Sequence, residues 1–221
     1  MRGCVFGLAL ALGACGRLGF DGRAPPLGDG ASTIDAAPDA PPCTQDCLLA
    51  DSKADFSTLQ NQNGWFYGSW DAYADADGTY EYATDFRDLS NIDGYWHVPG
   101  WVADETDPRF SWCYIAPWGG HPDDAPRQLP IRRWVSPTAG PARVNASHSK
   151  SDTSGGDGTR ALVMLDGAVL WDHTVAGDDG VGATVTLDVE LAVGSTLDYM
   201  LDPLAGDARD TTNHDMTIQR R

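Results

Sequence analysis

The chain has 221 residues, with 32 Asp and Glu against 15 Lys and Arg and a formal net charge of −17. Such an acidic surface repels nucleic-acid phosphate and anionic headgroups, which excludes nucleic acid as an electrostatic partner and leaves neutral glycans, basic proteins and divalent cations. A hydrophobic share of 42% and an aromatic share of 10% belong to a folded domain with one core, not to a disordered chain.

In chain order, Met1-Arg2-Gly3 is a short positive region, Cys4 to Leu12 an almost unbroken apolar run, and Leu12-Gly13-Ala14-Cys15 follows directly. Positive end, apolar run and small residues are the order of a secretory signal peptide, and the run is too short to cross a ~30 Å hydrocarbon layer. A cysteine directly after Leu-Gly-Ala is similar to the lipobox of bacterial lipoproteins, in which signal peptidase cuts before the cysteine and its thiol carries diacylglycerol. That resemblance implies a signal peptide over 1–14, a mature chain beginning at Cys15, and a bilayer held through the acyl chains on Cys15. Gly16 rather than Asp after the cysteine resembles lipoproteins passed on to an outer membrane, with the leaflet open. An ordinary cleaved signal with an incidental cysteine is the alternative.

Residues 15–43 read as the lipidated cysteine and a flexible, disordered tether. Gly16 to Pro42 is rich in Ala, Pro, Gly and Asp and holds little that could bury a core. Fully extended as polyproline at ~3.1 Å per residue, it would reach ~80 Å, enough to hold a domain clear of a membrane. With Cys4 removed and Cys15 lipidated, Cys43, Cys47 and Cys113 remain in a potentially oxidising compartment. A Cys43–Cys47 bridge would close a small loop. A Cys47–Cys113 bridge would close a long one worth ~4 kcal/mol on the loop-entropy model. Both stay open, while a zinc site lacks a second cysteine or histidine pair at metal spacing.

Residues 44–221 are predicted to form an all-β domain, an antiparallel β-sandwich of jelly-roll type, and to be monomeric. Trp65-Phe66-Tyr67, Thr79 to Phe86, Tyr95 to Val98 and Gln128 to Val135 are aromatic and β-branched runs bounded by turn residues. Later segments alternate strictly: Ala142, Val144, Ala146 against Arg143, Asn145, Ser147; Val185, Leu187, Val189 against Thr186, Asp188, Glu190; Leu197, Tyr199, Leu201 against Asp198, Met200, Asp202. Period two marks strands with one wet face. Asp166-Gly167 between Arg160–Leu165 and Ala168–His173 predicts a two-residue hairpin. No segment after the signal has a capped helical period, and ten or so strands are expected.

Seven of the eight tryptophans and six of the seven tyrosines fall between Trp65 and Trp134, interleaved with Gly, Asp and Asn. Flat rings on loops can grip the apolar faces of sugars while polar side chains bond their hydroxyls; equally, these rings can fill the sandwich core. Trp96, Trp101 and Trp118, with His121, are the glycan-binding candidates, because Pro99-Gly100 and Gly119-Gly120 place Trp101 and Trp118 in loops. In Pro130-Ile131-Arg132-Arg133-Trp134-Val135, parity puts one arginine on each face, so the inner face must carry one. A buried guanidinium calls for a carboxylate, with Asp157 or an acidic residue near His121 as partner. The pair would fix the sandwich or bind a ligand.

Gly119-Gly120-His121-Pro122, Ile131 to Pro137 with Ala139-Gly140, Gly155-Gly156-Asp157-Gly158 and Asp166-Gly167 together resemble a β-sandwich module of secreted bacterial proteins, similar to galactose-binding-like and other carbohydrate-binding domains. The resemblance covers roughly Phe56 to Ile218. It implies a sandwich that accompanies carbohydrate-active domains and carries over no fixed ligand residues.

Asp71, Asp75, Asp77 and Glu81 cluster around Gly78, a density of hard oxygen ligands suited to a structural calcium, although the EF-hand register fails and a solvated acidic loop is the alternative. Asp207 and Asp210 form a second acidic loop. No metalloprotease, nucleophile-elbow or phosphate-loop motif is present, and the five histidines are isolated in sequence. No cofactor is required. Asp104, Glu105, Asp107, Asp123 and Asp124 lie among the aromatics and could supply a glycosidase carboxylate pair. The expected function is a non-catalytic, lipid-anchored envelope protein whose sandwich binds a polysaccharide or an envelope partner. The alternatives are a small carbohydrate-active hydrolase using those loop carboxylates and a purely structural envelope lipoprotein.

Overall fold

The computed structural model describes residues 47–221, so the expected signal peptide, Cys15, Cys43 and the whole of the expected tether lie outside the described residues. Within them are fifteen strands and no helix: β1 (Leu48–Asp51), β2 (Trp65–Asp71), β3 (Arg87–Asp88), β4 (Ser90–Ile92), β5 (Tyr95–His97), β6 (Tyr114–Ala116), β7 (Gly119–His121), β8 (Asp123–Asp124), β9 (Arg127–Val135), β10 (Gly140–Lys150), β11 (Thr159–Leu165), β12 (Ala168–Val175), β13 (Ala183–Leu191), β14 (Thr196–Asp202) and β15 (Thr212–Arg220). All pairings are antiparallel. One sheet runs β13-β10-β15-β7-β6-β5-β4 with β1 also beside β15; the other runs β12-β11-β14-β9-β2-β3 with β8 beside β9. From β9 onward the chain crosses repeatedly between the sheets, as in a jelly roll.

The period-two residues dictate how the sheets close. Ala142, Val144 and Ala146 on β10 and Met216 and Ile218 on β15 face Trp65 and Tyr67 on β2, Trp134 on β9 and Leu197, Tyr199 and Leu201 on β14. Full burial of an aliphatic side chain of this size contributes roughly 1.5–3 kcal/mol. The hairpin forms as the sequence requires: Leu165 pairs with Ala168, and Asp166 and Gly167 both take positive φ, at 49° and 82°.

Three expectations are corrected. Thr79 to Phe86 is not a strand; together with Trp70 and Ala72, its Tyr80 and Phe86 cover the outer face of the second sheet, over Leu129, Ile131, Leu162, Met164 and Met200. For that reason the second face of β14 is not wet, and Asp198 and Met200 are buried. The long disulfide does not form either: Cys47 is disulfide-bonded, whereas Cys113 is a free, buried thiol whose ionisation burial opposes.

Parity places both arginines as expected but changes their partners. Arg132, 1% exposed, lies between the sheets and meets no carboxylate. It donates to the carbonyls of Ser52 at 2.7 Å, Gly119 at 3.1 Å and Ala116, which ties β9 to the opposite sheet. Desolvation lowers its pKa to about 10. Arg133 lies on the outer face and grips Asp198 through two hydrogen bonds of 2.7 Å, with Tyr80 Oη and the Tyr82 carbonyl as further acceptors and the Phe86 ring beneath it. Asp157 serves neither arginine; its carboxylate accepts the Ala205 N–H.

Candidate functional site

Alternation along β5, β6 and β7 sorts their side chains. Trp96 and Ile115 enter the core. His97, Tyr114 and His121 therefore share the opposite face, and the register places them side by side, His97 opposite Tyr114 and Tyr114 opposite His121. Gly119 and Gly120 allow β7 to wedge in here: a Cβ on Gly119 would sit 1.9 Å from the Thr212 carbonyl oxygen, and one on Gly120 2.7 Å from that of Tyr114.

Around this row runs a continuous aromatic array. Trp101 stacks on His97 at 4.0 Å and donates its indole N–H to the Ser111 carbonyl. Phe110 meets Trp112 edge to face at 4.9 Å, Trp112 lies 5.7 Å from His121, and the His121 and Tyr114 rings stack at 5.8 Å. Trp118 closes the array edge-on against Tyr114. Trp112, 44% exposed, is the most open ring of the array.

A cleft of about 420 Å³ opens against these rings, lined by Trp112, Tyr114, His121, Asp152, Asp207, Ala208, Arg209 and Thr211. One side is aromatic; the other carries carboxylates, a guanidinium and a hydroxyl, the complement of a sugar's apolar face and its hydroxyl rim. His121 Nδ1–H donates to the Pro122 carbonyl at 2.6 Å, leaving Nε2 as an acceptor, and burial lowers its pKa so that the ring is neutral at pH 7. Asp123, 4% exposed, accepts Ser111 Oγ–H at 2.6 Å and the Trp112 N–H at 2.9 Å, which fixes the turn that presents the Trp112 ring.

Asp123, Asp124 and Asp207 bring carboxylate oxygens within 4.8 Å of one another, the single group of three among the described residues spaced to hold a cation. Burial and the two neighbouring carboxylates raise the Asp207 pKa to about 6. The four acids expected to bind calcium are dispersed, and no three of them lie close enough to share an ion. Asp71 pairs with Arg87, Asp75 accepts the Trp70 indole N–H, Asp77 caps Thr79, and the Glu81 N–H bonds Asp85.

Of the sequence-predicted binding residues, His121 lines the cleft, while Trp101 and Trp118 support its aromatic array from behind and beside. Trp96 is corrected to a core residue: it stacks on Tyr67 at 4.8 Å and donates to the Ser57 carbonyl. Trp112 and Tyr114 were missed, although their i, i+2 spacing around the apolar Cys113 marks a shared face. Asp152 and Arg209 come from distant loops that no local pattern joins to this one.

No protein-family model and no curated protein matches the chain. Among solved structures it is similar to a family 35 carbohydrate-binding module from Clostridium thermocellum, at 9% identity over 42% of this chain and 71% of that one, with a TM-score of 0.29. It is also similar to the CBM51 of Clostridium perfringens GH95 in complex with methyl-galactose, at 13% identity over 48% and 70% of the chains, with a TM-score of 0.29. A third likeness is to a beta-glucosidase from Kluyveromyces marxianus in complex with glucose, at 11% identity over 79% of this chain and 17% of that one, with a TM-score of 0.35. At TM-scores this low none of these likenesses says what this chain binds.

Proposed function

We propose that this chain is a non-catalytic carbohydrate-binding protein that holds a neutral glycan in the cleft between Trp112, Tyr114 and His121 and the loop carrying Asp207 and Arg209. The observation that carries the reading is the facing of an aromatic wall and a polar wall across about 420 Å³, in a protein whose other tryptophans are all buried or half-buried. Stacking on the rings would supply the apolar contact, and Asp152, Asp207 and Arg209 the hydroxyl contacts. The same reading includes export and an acyl anchor on Cys15, which would place the sandwich at the cell envelope.

Retention on immobilised polysaccharides tests it. Wild-type protein should be retarded on at least one neutral polysaccharide, and Trp112→Ala should run unretarded on the same matrix. Free passage of wild type through every matrix would remove the reading.

Hydrolysis is the second reading, favoured by the raised pKa of Asp207 beside two further carboxylates. It is the weaker one, because Asp123 spends its carboxylate on Ser111, Trp112 and Ala125 and does not line the cleft. Release of reducing ends from a retained polysaccharide, abolished by Asp207→Asn, would establish it.

A further inference from the structure

Lys150, the last residue of β10, and Asp210, two residues before β15, meet with both side chains 0% exposed and Nζ 2.7 Å from Oδ1. The two strands are direct neighbours, with Lys150 opposite Thr212, so backbone pairing holds the two groups in place. Nζ also donates to the Arg209 carbonyl at 2.7 Å. Asp210 Oδ2 has no hydrogen-bond partner. Two charges taken out of water are compensated only when the remaining lone pairs are satisfied, and here one carboxylate oxygen is not.

We propose that Lys150 and Asp210 condense into an intramolecular amide that cross-links β10 to the entry of β15. The pair starts as ammonium and carboxylate. A proton passes from Nζ to the carboxylate, giving a neutral amine and a neutral acid. The Nζ lone pair then attacks Cγ, a C–O bond breaks, and the departing hydroxyl takes a second proton from nitrogen. One Nζ–Cγ bond is formed and one water released, with nothing oxidised or reduced and no further reactant.

The surroundings favour each part of this step. Burial, the largest effect, raises the Asp210 pKa to about 6 against the lowering by Lys150, and the negative charges of Asp157 and Asp207 add to the rise, which favours the neutral acid. Holding amine and acid in contact makes a bimolecular condensation unimolecular, and a dry site protects the product from hydrolysis. The product is neutral, keeps one N–H for the Arg209 carbonyl and loses an oxygen from a carboxylate that the fold does not satisfy. It would also close a covalent ring around residues 150–210, the stretch that supplies Asp152, Asp207 and Arg209 to the cleft.

Tryptic digestion of the reduced, denatured wild-type full chain reads the bond directly. Blocked cleavage at Lys150 should yield peptide 144–160 joined to peptide 210–220, lighter than the two together by one water. Asp210→Asn should give the same branched product by loss of ammonia, and Asp210→Ala should give only linear peptides. Recovery of free 144–150 and unmodified linear 210–220 from wild type would overturn the proposal. So would a water loss that maps elsewhere, such as a cyclic imide at Asp157-Gly158 or Asp166-Gly167.

Discussion

Arg133 and Asp198 stand directly opposite one another on β9 and β14, and the guanidinium fork closes on both carboxylate oxygens at 2.7 Å. Their side chains are 11% and 1% exposed because the Tyr80–Phe86 loop lies over them. Asp198→Ala would leave a guanidinium in that setting without its counter-charge, a change of ~3–5 kcal/mol. The exposed Arg160–Asp172 pair has similar bond lengths but stands in water. Breaking it with Asp172→Ala should cost less than ~1 kcal/mol. Urea unfolding of the two variants should separate them, and equal losses would contradict the burial argument.

The tryptophans divide in the same way. Trp96→Ala removes a buried ring stacked on Tyr67 and should lower stability by ~3–5 kcal/mol. Trp112→Ala removes a ring 44% exposed and should lower it by about 1 kcal/mol or less. Thermal melts measure both, and a Trp112→Ala melt as low as that of Trp96→Ala would make Trp112 a core residue.

Stability should fall in mild acid through His148. It is buried between the sheets, bonded to Thr159 Oγ1, and desolvation lowers its pKa from 6.5 to about 4. The unfolded chain therefore takes up this proton below pH 6.5 while the folded chain resists until about 4, so the group's effect is absent above 6.5 and grows as pH falls through that window, to about 3 kcal/mol. Asp207, raised to about 6, acts in the opposite sense, favouring the folded state as pH falls toward 3.8. His148→Gln should thus lessen the acid loss relative to wild type in chemical denaturation at pH 7, 5.5 and 4.5. Parallel curves for the two proteins would contradict the assignment.

The proposed anchoring rests on Cys15 alone. Two or more acyl chains contribute about 0.8 kcal/mol per buried CH₂ and hold a protein stably, whereas one holds marginally. In cells, wild type should partition into the detergent phase and Cys15→Ser should be left unprocessed or released. Equal partitioning would remove the lipoprotein reading.

The sandwich was legible because its strands alternate, the edge strand β13 included: Ala142, Val144 and Ala146, then Val185, Leu187 and Val189, need no context to declare a face. The Asp166-Gly167 turn was legible for the same local reason, since both residues tolerate positive φ. Thr79 to Phe86 misled because an aromatic run suits a strand and a covering loop equally well, and only the sheet beneath decides between them. Parity put one arginine on each face, but carbonyls of Ser52, Ala116 and Gly119 as the partners of Arg132 are a product of tertiary folding. The cleft was half legible: His121 stands out beside its glycines, whereas Asp152, Asp207 and Arg209 join it only once β10 and β15 pair.

The most direct test of the central claim is a glycan array probed in parallel with wild type, Trp112→Ala and Tyr114→Phe. The cleft account predicts that wild type binds a defined set of neutral glycans, that Trp112→Ala loses that set while melting within a few degrees of wild type, and that Tyr114→Phe, which keeps the ring, retains most of it. Undiminished binding by Trp112→Ala to the same glycans would contradict it.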